Sequence, residues 1–223
     1  MSNMIIPISI PSSEDEKRDT FKWTVGNNSK YETQLKVLTS LELEHLVPHV
    51  LEVKTKVDAA VGTVNHKGPS LYKVFPRTLS LVLRSVWDQI IADAPAGAPE
   101  TEATFAERAK EFIAVHATVE DRHDLIQQLR VVRKPRDMLV QAFWYRLREI
   151  NAYVEWLPGN ENELNNDQLK QAFYDAMPAT WKERFVNAGN SISTLALAQV
   201  IRYFRQQENQ ANMKKSTCAT ARD

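Results

Sequence analysis

The chain has 223 residues, of which 43% are hydrophobic and 25% are charged, a composition typical of a soluble protein with one large domain or two small ones. Its 28 lysines and arginines balance 28 aspartates and glutamates, so the basic excess expected of a dedicated nucleic-acid-binding protein is missing. One cysteine cannot form an internal disulfide, which is typical of a reducing compartment, and the apolar runs are shorter than the roughly 20 residues of a membrane helix.

The N-terminal part is predicted to be an arm followed by a β-hairpin. Residues 1–19 join a short apolar run, interrupted by Pro7, to an acidic stretch. We expect a flexible arm there and no signal peptide, because no long apolar run follows a basic start. Apolar side chains then recur with a period of two in residues 21–25 and 31–37, and the Gly-Asn-Asn sequence between them tolerates positive φ. This pattern favours a hairpin.

Four helices are predicted next, because the apolar period changes to that of a helix. Pro48 is expected to kink the first helix, and Pro76 to perturb the first turns of the second. Ser40 and Thr118 are predicted N-caps of the first and fourth helices. The helices are expected at about residues 40–61, 69–90, 102–115 and 119–132.

A domain boundary is predicted at Lys134-Pro135, because proline disfavours helix at the preceding residue and suits a helix start. Residues 20–133 would form the N-terminal domain and residues 134–210 the C-terminal domain. Residues 211–223 are polar and are predicted to be a disordered tail.

The fifth helix has the clearest apolar stripe of the chain. Its apolar residues recur at intervals of four, four, three, four and three, which places them on one helix face. Three shorter helices are predicted after it, with starts at the Asn165/Gln168 capping box, at Pro178 and at Ser193. The stripe consists of Leu139, Phe143, Leu147, Ile150, Val154 and Leu157.

Catalytic, metal and cofactor sites are not predicted. The chain lacks a glycine-rich phosphate loop, an H-E-x-x-H motif and a G-x-S-x-G motif. His45 and His49 have the spacing of two ligands on one helix face, but Pro48 lies between them and no third ligand is evident. His116 and His123 are interpreted as capping or solvated residues, and Cys218 as an ordinary thiol in the tail.

A cluster of cations precedes the fifth helix, at Arg130, Arg133, Lys134 and Arg136. These side chains are either solvated at a helix end and in a linker, or they contact phosphate or an acidic neighbour. Phe143 is predicted to be core. Trp144 and Trp156 are candidates for the edge of the core, where protein interfaces use tryptophan, and they are also candidate contacts for RNA.

Three motifs follow in order: R-K-P-x-D-M, then F-x-x-R-L-x-E-I-N-x-Y, then M-P-x-x-W after a proline loop. In this order they resemble the capsid region of Gag polyproteins from gypsy-type long-terminal-repeat retrotransposons, over about residues 20–210. The resemblance implies a mainly helical capsid-like fold with two lobes. The residues that carry it are Lys134, Pro135, Asp137, Met138, Phe143, Arg146, Leu147, Ile150, Asn151, Tyr153, Pro178 and Trp181.

Retroviral relatives of that family carry a motif of glutamine, glutamate, an aromatic residue and arginine at the start of their second domain. Phe143 and Arg146 stand at the last two places of this motif, while Lys134 and Met138 stand at the first two. The resemblance therefore implies that the polar network of the second domain is built differently here or is absent.

The resemblance also implies a structural role rather than an enzymatic one. We expect a cytoplasmic protein that self-associates through its two helical domains into a virus-like particle and packages RNA, without cofactors or membrane contact. The zinc-knuckle spacing of a nucleocapsid is not in this sequence, so RNA would be bound through a missing or separate nucleocapsid region. A stand-alone helical RNA-binding domain is the alternative.

Overall fold

The computed structural model describes Ile6, Ile8 and residues 18–26 and 28–220, with side chains up to Met213. It is mainly helical and has one two-stranded antiparallel hairpin near its N-terminus, which confirms the predicted fold class. Within the described residues the strands are β1 (Asp19–Val25) and β2 (Ser29–Leu35). The helices are α1 (Leu43–Ala60), α2 (Val64–Val74), α3 (Leu81–Ala92), α4 (Glu102–Ala114), α5 (Val119–Val131), α6 (Val140–Tyr153), α7 (Asn166–Asp175), α8 (Ala179–Asn187) and α9 (Leu197–Thr220).

The β-hairpin has the predicted period of two. Phe21, Trp23 and Val25 are buried, and the residues between them are exposed. Trp23 pairs with Tyr31 across the two strands, and its indole N–H donates to Ser70 Oγ of α2 at 2.8 Å. The hairpin is therefore fixed to the helices by one buried polar contact as well as by its apolar face.

Helices α2 and α3 occupy the region where one helix was predicted, and that prediction is wrong. A short 3-10 helix, Phe75–Thr78, follows α2 and contains Pro76. Leu79 then forms a parallel bridge with Leu38. Leu79 has an extended backbone (φ −104°, ψ 144°) that ends the 3-10 helix, and α3 begins two residues later at Leu81. Pro48, in contrast, lies within α1 without ending it.

An aromatic cluster forms the centre of the helices that pack with the hairpin. The ring of Phe75 lies 4.7 Å from that of Trp87, 5.4 Å from that of Phe105 and 5.7 Å from that of Phe112, each in an edge-on arrangement. Edge-to-face pairs add to the stability gained from burial alone. This cluster joins the 3-10 helix to α3 and α4.

The last helix differs from its prediction at both ends. Ser193 does not cap it, because the Ser193 hydroxyl bonds to Ser191. Gln199 instead accepts from the backbone N–H of Ala196, and α9 begins at Leu197. The helix continues to Thr220, so the predicted disordered tail is helical from residue 211 to that point.

The chain divides into two compact units. The first, called the hairpin unit here, contains residues 11–122 and 156–160, and the second, called the α6 unit, contains residues 1–10, 123–155 and 161–223. The division lies within α5 and not at Lys134-Pro135, where the boundary was predicted. Regular helical hydrogen bonding carries α5 across the division, so no proline or loop marks it in the sequence. Among the described residues, no helix combines the length and apolar character required to cross a membrane.

Candidate functional site

The start of helix α6 is closed by a carboxylate from the last helix. Leu139 occupies the N-cap position and has no side chain able to accept a hydrogen bond. Glu208 of α9 takes over this role, with both carboxylate oxygens 3.1 Å from the backbone N–H of Val140. A negative charge at a helix N-terminus is stabilised by the unpaired N–H groups and the helix dipole.

Lys134 supplies the counter-charge to this carboxylate. Its Nζ lies 3.3 Å from Glu208 Oε1, and the side chains of Lys134 and Glu208 are only 5% and 11% exposed. The same ammonium group donates to the carbonyl of Pro135 and lies 5.9 Å from the centre of the Trp181 ring. A buried ion pair is tolerable only when its charges have further polar partners, and both members of this pair have them.

The segment before α6 also closes the end of helix α7. Arg133 donates to the carbonyl of Asp175 at 2.7 Å, and the Lys134 backbone N–H donates to the carbonyl of Ala176 at 3.1 Å. Lys182 reaches the Asp175 carbonyl as well. Cations suit the C-terminal end of a helix. Residues 133–134 therefore belong to the internal structure of the α6 unit, whereas the sequence predicted a linker between domains.

Arg146 takes part in a polar cluster that runs along α6. It lies 2.9 Å from Glu149 Oε2 and 3.4 Å from the Tyr153 hydroxyl, and that hydroxyl donates to Glu149 Oε1 at 2.6 Å. The pKa of the Tyr153 phenol is raised above its ordinary value, mainly because the side chain is buried and, to a smaller extent, because it donates a hydrogen bond to Glu149. The phenol thus stays a neutral donor, and the helix face around Arg146 is held in one arrangement.

Asn151 ties α6 to the loop before α7. Its amide nitrogen donates to the carbonyl of Leu164, and its amide oxygen accepts from the Leu164 N–H, both at 2.9 Å. Both residues are buried, and a buried amide needs such pairing to offset its lost hydration. The Asn151 side chain therefore holds the loop to α6 through two hydrogen bonds, a role that its place in the sequence motif did not specify.

The apolar face of α6 forms the core of its unit, as predicted for the middle of the stripe. At the ends of the stripe the prediction is wrong, because Leu139 is 60% exposed and Leu157 belongs to the hairpin unit. Phe143, Leu147 and Ile150 are at most 1% exposed. The Phe143 ring stacks on Phe173 of α7 at 6.0 Å, and Phe173 in turn meets Phe204 of α9 edge-on at 6.2 Å. Three helices therefore share one aromatic core.

Both tryptophans that were candidates for contact with RNA or another subunit are buried. Trp144 is 6% exposed and packs edge-on against Phe173 at 5.5 Å. Trp156 is 7% exposed, belongs to the hairpin unit and has the Lys110 ammonium 5.7 Å from its ring centre. Burial leaves these side chains little surface for a partner, so we assign them to the cores of their units.

The remaining predicted residues lie at or near the surface. Arg130, Arg136 and Asp137 are exposed, while Pro135 and Met138 are half-buried. Pro178 occupies the N-cap position of α8. The structure thus brings Lys134, Arg146, Asn151 and Tyr153 into the α6 unit as buried polar or aromatic groups, and it separates them from the exposed arginines.

Several large apolar side chains of both units are also exposed, and the sequence analysis did not single out this set. In the hairpin unit Leu81 and Val82, in the first turn of α3, are 85% and 69% exposed. In the α6 unit Val131, Leu139 and Tyr145 are 70%, 60% and 59% exposed. Single exposed apolar residues are ordinary, but adjacent ones such as Leu81 and Val82 are suited to contact with another protein surface.

The histidines do not form a metal site together. His49 is buried and hydrogen-bonds to Thr78 Oγ1 at 2.9 Å, whereas His45 pairs with Glu42 and Glu44. Glu42, Glu44 and His45 have ligand atoms within 4.8 Å of one another, with Glu42 exposed and the other two half-buried, and exposed acidic groups of this kind are common without a metal ion. His123 pairs with Glu161 at 2.9 Å.

His49 has a defined tautomer because of its partner. The Thr78 hydroxyl donates to the carbonyl of Phe75 at 2.7 Å, so its oxygen accepts from His49 Nε2–H. Burial lowers the pKa of His49 to about 4, and nearby Glu52 opposes this shift while Lys36 adds to it. His49 is therefore neutral at physiological pH and has a structural role.

No family model, no curated protein and no solved structure matches this chain.

Proposed function

We propose that this chain is a structural capsid protein of the Gag type, from a retrotransposon or a domesticated derivative, which self-associates into a particle shell. The observation that carries the proposal is the use of the motif residues around α6. Lys134, Arg146, Asn151 and Tyr153 each make a buried polar contact within the α6 unit. The resemblance in sequence thus falls on residues that hold one helical unit together.

Glu208 supports the proposal from outside the motif. The retroviral-type motif has a glutamate at the place that Met138 occupies, and in this chain a carboxylate reaches the start of α6 from α9 instead. A polar network is therefore found in this region, and it is made by residues other than those of the retroviral-type motif. This is the arrangement expected if the second domain kept its architecture while the contributing residues changed.

The exposed apolar residues are candidates for the contacts between copies. Leu81 and Val82 lie on the hairpin unit, and Leu139 and Tyr145 lie on the α6 unit. A shell needs at least two contact surfaces on each copy, and contacts that are weak singly allow errors to dissociate. A formal net charge of zero does little to oppose association.

We propose that RNA is packaged chiefly by a separate nucleocapsid region. The balanced charge of this chain gives no general attraction for phosphate. The exposed Arg130 and Arg136 are at most an auxiliary contact. A cytoplasmic virus-like particle is the corresponding location, and the role is structural rather than catalytic.

The proposal is tested by measuring the mass of the full chain in solution. Size-exclusion chromatography with light scattering over a concentration series, followed by electron microscopy in high phosphate, should show concentration-dependent oligomers and then shells or tubes. The double variants Leu81→Asp/Val82→Asp and Leu139→Asp/Tyr145→Asp each replace two exposed apolar side chains of one unit by charged ones. At least one of them should raise the concentration needed for assembly tenfold or more.

Gln206→Glu/Gln210→Glu is the matched control, because it adds the same charge to exposed positions of α9, a helix that contains neither tested pair, without removing an apolar side chain. It should assemble as the wild type does. A chain that stays monomeric at every concentration, and that binds RNA with nanomolar affinity falling steeply with salt, would contradict the proposal and favour a stand-alone RNA-binding domain.

A further inference from the structure

The N-terminal arm places two isoleucines in a groove on the α6 unit. Ile6 is 1% exposed and Ile8 is 6% exposed. Both side chains line the same cavity as residues from α5, from the residue after α5 and from α6, and this cavity has a volume of only about 10 Å³. These residues, called the α5–α6 groove here, are Leu125, Gln128, Leu129, Val132 and Ile150.

The groove is filled closely by this pair of side chains. The remaining space is near the lower limit for a single water molecule, and four of the five groove residues are apolar. Leu125, Leu129, Val132 and Ile150 are themselves at most 5% exposed. Without Ile6 and Ile8, the groove would present these apolar side chains to water, so it requires an apolar occupant.

The order of the two units along the chain would allow the Ile6–Ile8 segment to be exchanged between copies. Residues 1–10 belong to the α6 unit, whereas residues 11–122 belong to the hairpin unit. The isoleucines are thus separated in sequence from their groove by a whole compact unit. When a segment packs on a unit to which it is not directly connected, the same contact can form with that unit in another copy, because the two arrangements share identical side-chain contacts.

We propose that the α5–α6 groove is a docking site for the Ile6–Ile8 segment of a second copy of this chain, so that neighbouring copies exchange their N-terminal arms. A second copy is the occupant that fits best, since every copy carries the sequence that already fills the groove. The formal net charge of zero lets copies approach without strong repulsion. The inference concerns the groove and holds whether or not the chain builds a closed shell.

The contact with a copy would be favoured when local concentration is high. Within one chain the arm and the groove have an effective concentration set by the residues that join them. The contact made by the two described side chains of the arm is small, so we expect this contact to open and re-form readily. In an oligomer the arm of a neighbouring copy competes with the chain's own arm for the α5–α6 groove. Each exchange would link two copies through the contact that already exists within one chain.

A peptide experiment tests the groove in the full-length protein. The probe is a fluorescent peptide of residues 1–12, and the acceptors are the wild-type chain and the Ile6→Asp/Ile8→Asp chain, whose own arm no longer competes. The peptide should bind the variant at least tenfold more tightly than the wild type, and a peptide with the same two aspartates should bind neither. Ser12→Asp/Ser13→Asp is the charge-matched control acceptor and should behave as the wild type.

Circular dichroism establishes that the acceptor is folded, and Ile6→Ala/Ile8→Ala serves in its place if the charged variant is not. Lack of peptide binding to a folded acceptor would overturn the proposal.

A disulfide experiment tests exchange between whole chains. Ile8→Cys and Gln128→Cys are introduced into separate chains that also carry Cys218→Ser, and the two are mixed and oxidised. The disulfide-linked heterodimer should exceed that from a control pair in which Ser85→Cys replaces Gln128→Cys, and an excess of the peptide should reduce it. A single chain that carries both Ile8→Cys and Gln128→Cys reports docking within one chain. A heterodimer no more abundant than the control, together with efficient disulfide formation within this double variant, would show that the arm docks only on its own chain.

Discussion

At the scale of single residues, the pair of Lys134 and Glu208 shows how two charges are accommodated inside the α6 unit. Each charge has its counter-ion at 3.3 Å and at least one backbone partner. The pair therefore stabilises the unit only while both members are present. Removing one of them leaves the other buried without its counter-ion.

Glu208→Gln is expected to destabilise the α6 unit by about 3–5 kcal/mol, the cost of breaking a buried ion pair on one side. Glutamine keeps the size of the side chain but removes the charge that faces Lys134 and the N–H of Val140. Urea denaturation followed by circular dichroism measures the change. Glu183→Gln, at an exposed position of α8, is the matched control and should change the unfolding free energy by less than about 0.5 kcal/mol.

Protonation of His49 is expected to lower the stability of the hairpin unit at acidic pH. Its folded-state pKa of about 4 lies below the ordinary value of 6.5, so the unfolded chain binds the proton first as the pH falls. The stability contributed by neutral His49 is complete above pH 6.5 and is lost progressively as the pH falls toward 4. The loss amounts to about 3 kcal/mol at about pH 4, since each pKa unit corresponds to about 1.4 kcal/mol.

His49→Gln should remove this part of the pH dependence, because glutamine can still donate to Thr78 but does not titrate. The measurement is the unfolding free energy of both proteins at neutral pH and at several mildly acidic pH values. His45→Gln, whose wild-type side chain is 43% exposed, is the control. An unchanged pH profile in His49→Gln would show that other groups cause the acid sensitivity.

At the scale of elements, Gly68 decides how closely α2 approaches the segment before α4. A Cβ built on Gly68 would lie 2.2 Å from the Glu100 carbonyl oxygen and 2.7 Å from the Thr101 Cα. These are backbone atoms, which cannot move aside as a flexible side chain can. Helix α2 thus depends on a glycine in its interior, although glycine is an unfavourable helix residue in general.

Gly68→Ala is expected to destabilise the hairpin unit by at least about 1–3 kcal/mol, the usual range for overpacking. Gly62→Ala is its control, because nothing lies within 4 Å of a Cβ at that position and its φ is not in the left-handed region. The control should be neutral or up to about 1 kcal/mol more stable. Thermal unfolding of both variants provides the comparison, and equal effects would contradict the packing argument.

Several elements whose determinants are local were predicted correctly from the sequence, although Ser40 and Ser193 do not cap their helices. The capping box of Asn165 and Gln168 is present at the start of α7, and Thr118 makes its cap with Asp121 before α5. The hairpin has the predicted alternation. These features depend on residues within a few positions of each other, so a short stretch of sequence is sufficient to specify them.

Features that depend on distant residues were missed. Glu208 caps α6 from 68 positions away, and no local pattern in α9 marks it. The contact of Ile6 and Ile8 with α5 and α6 was missed for the same reason, because residues 1–19 were predicted to be a flexible arm. Most of that arm, like the side chain of Cys218, lies outside the described residues. The polar core of the α6 unit could thus be located from its motif, but its partners could not be named.

At the scale of the whole molecule, the two units have separate aromatic cores. Phe75, Phe105 and Trp87 belong to the hairpin unit, and Phe143, Phe173 and Phe204 to the α6 unit. Separate cores permit separate opening, because a substitution in one core acts first on the contacts around it.

Phe143→Ala is therefore expected to destabilise the α6 unit by about 3–5 kcal/mol and to leave the hairpin unit nearly unchanged. Hydrogen exchange measured by mass spectrometry should show faster exchange over Val140–Tyr153 and native protection over Leu43–Ala60. Phe75→Ala is the reciprocal variant and should produce the opposite pattern. Uniform loss of protection in both variants would mean that the chain unfolds as one cooperative body.

The position of Glu208 near the C-terminus also determines the order in which the two units can complete their folding during translation. Helix α6 leaves the ribosome well before α9, so its first N–H group and the Lys134 ammonium must remain hydrated until the last helix arrives. The hairpin unit, by contrast, lacks only residues 156–160 once Arg122 has been translated. In a nascent chain the hairpin unit should therefore be largely folded while the α6 unit still lacks the Glu208 contact. Ribosomes that pause before codon 208 would hold the chain in this partly folded state.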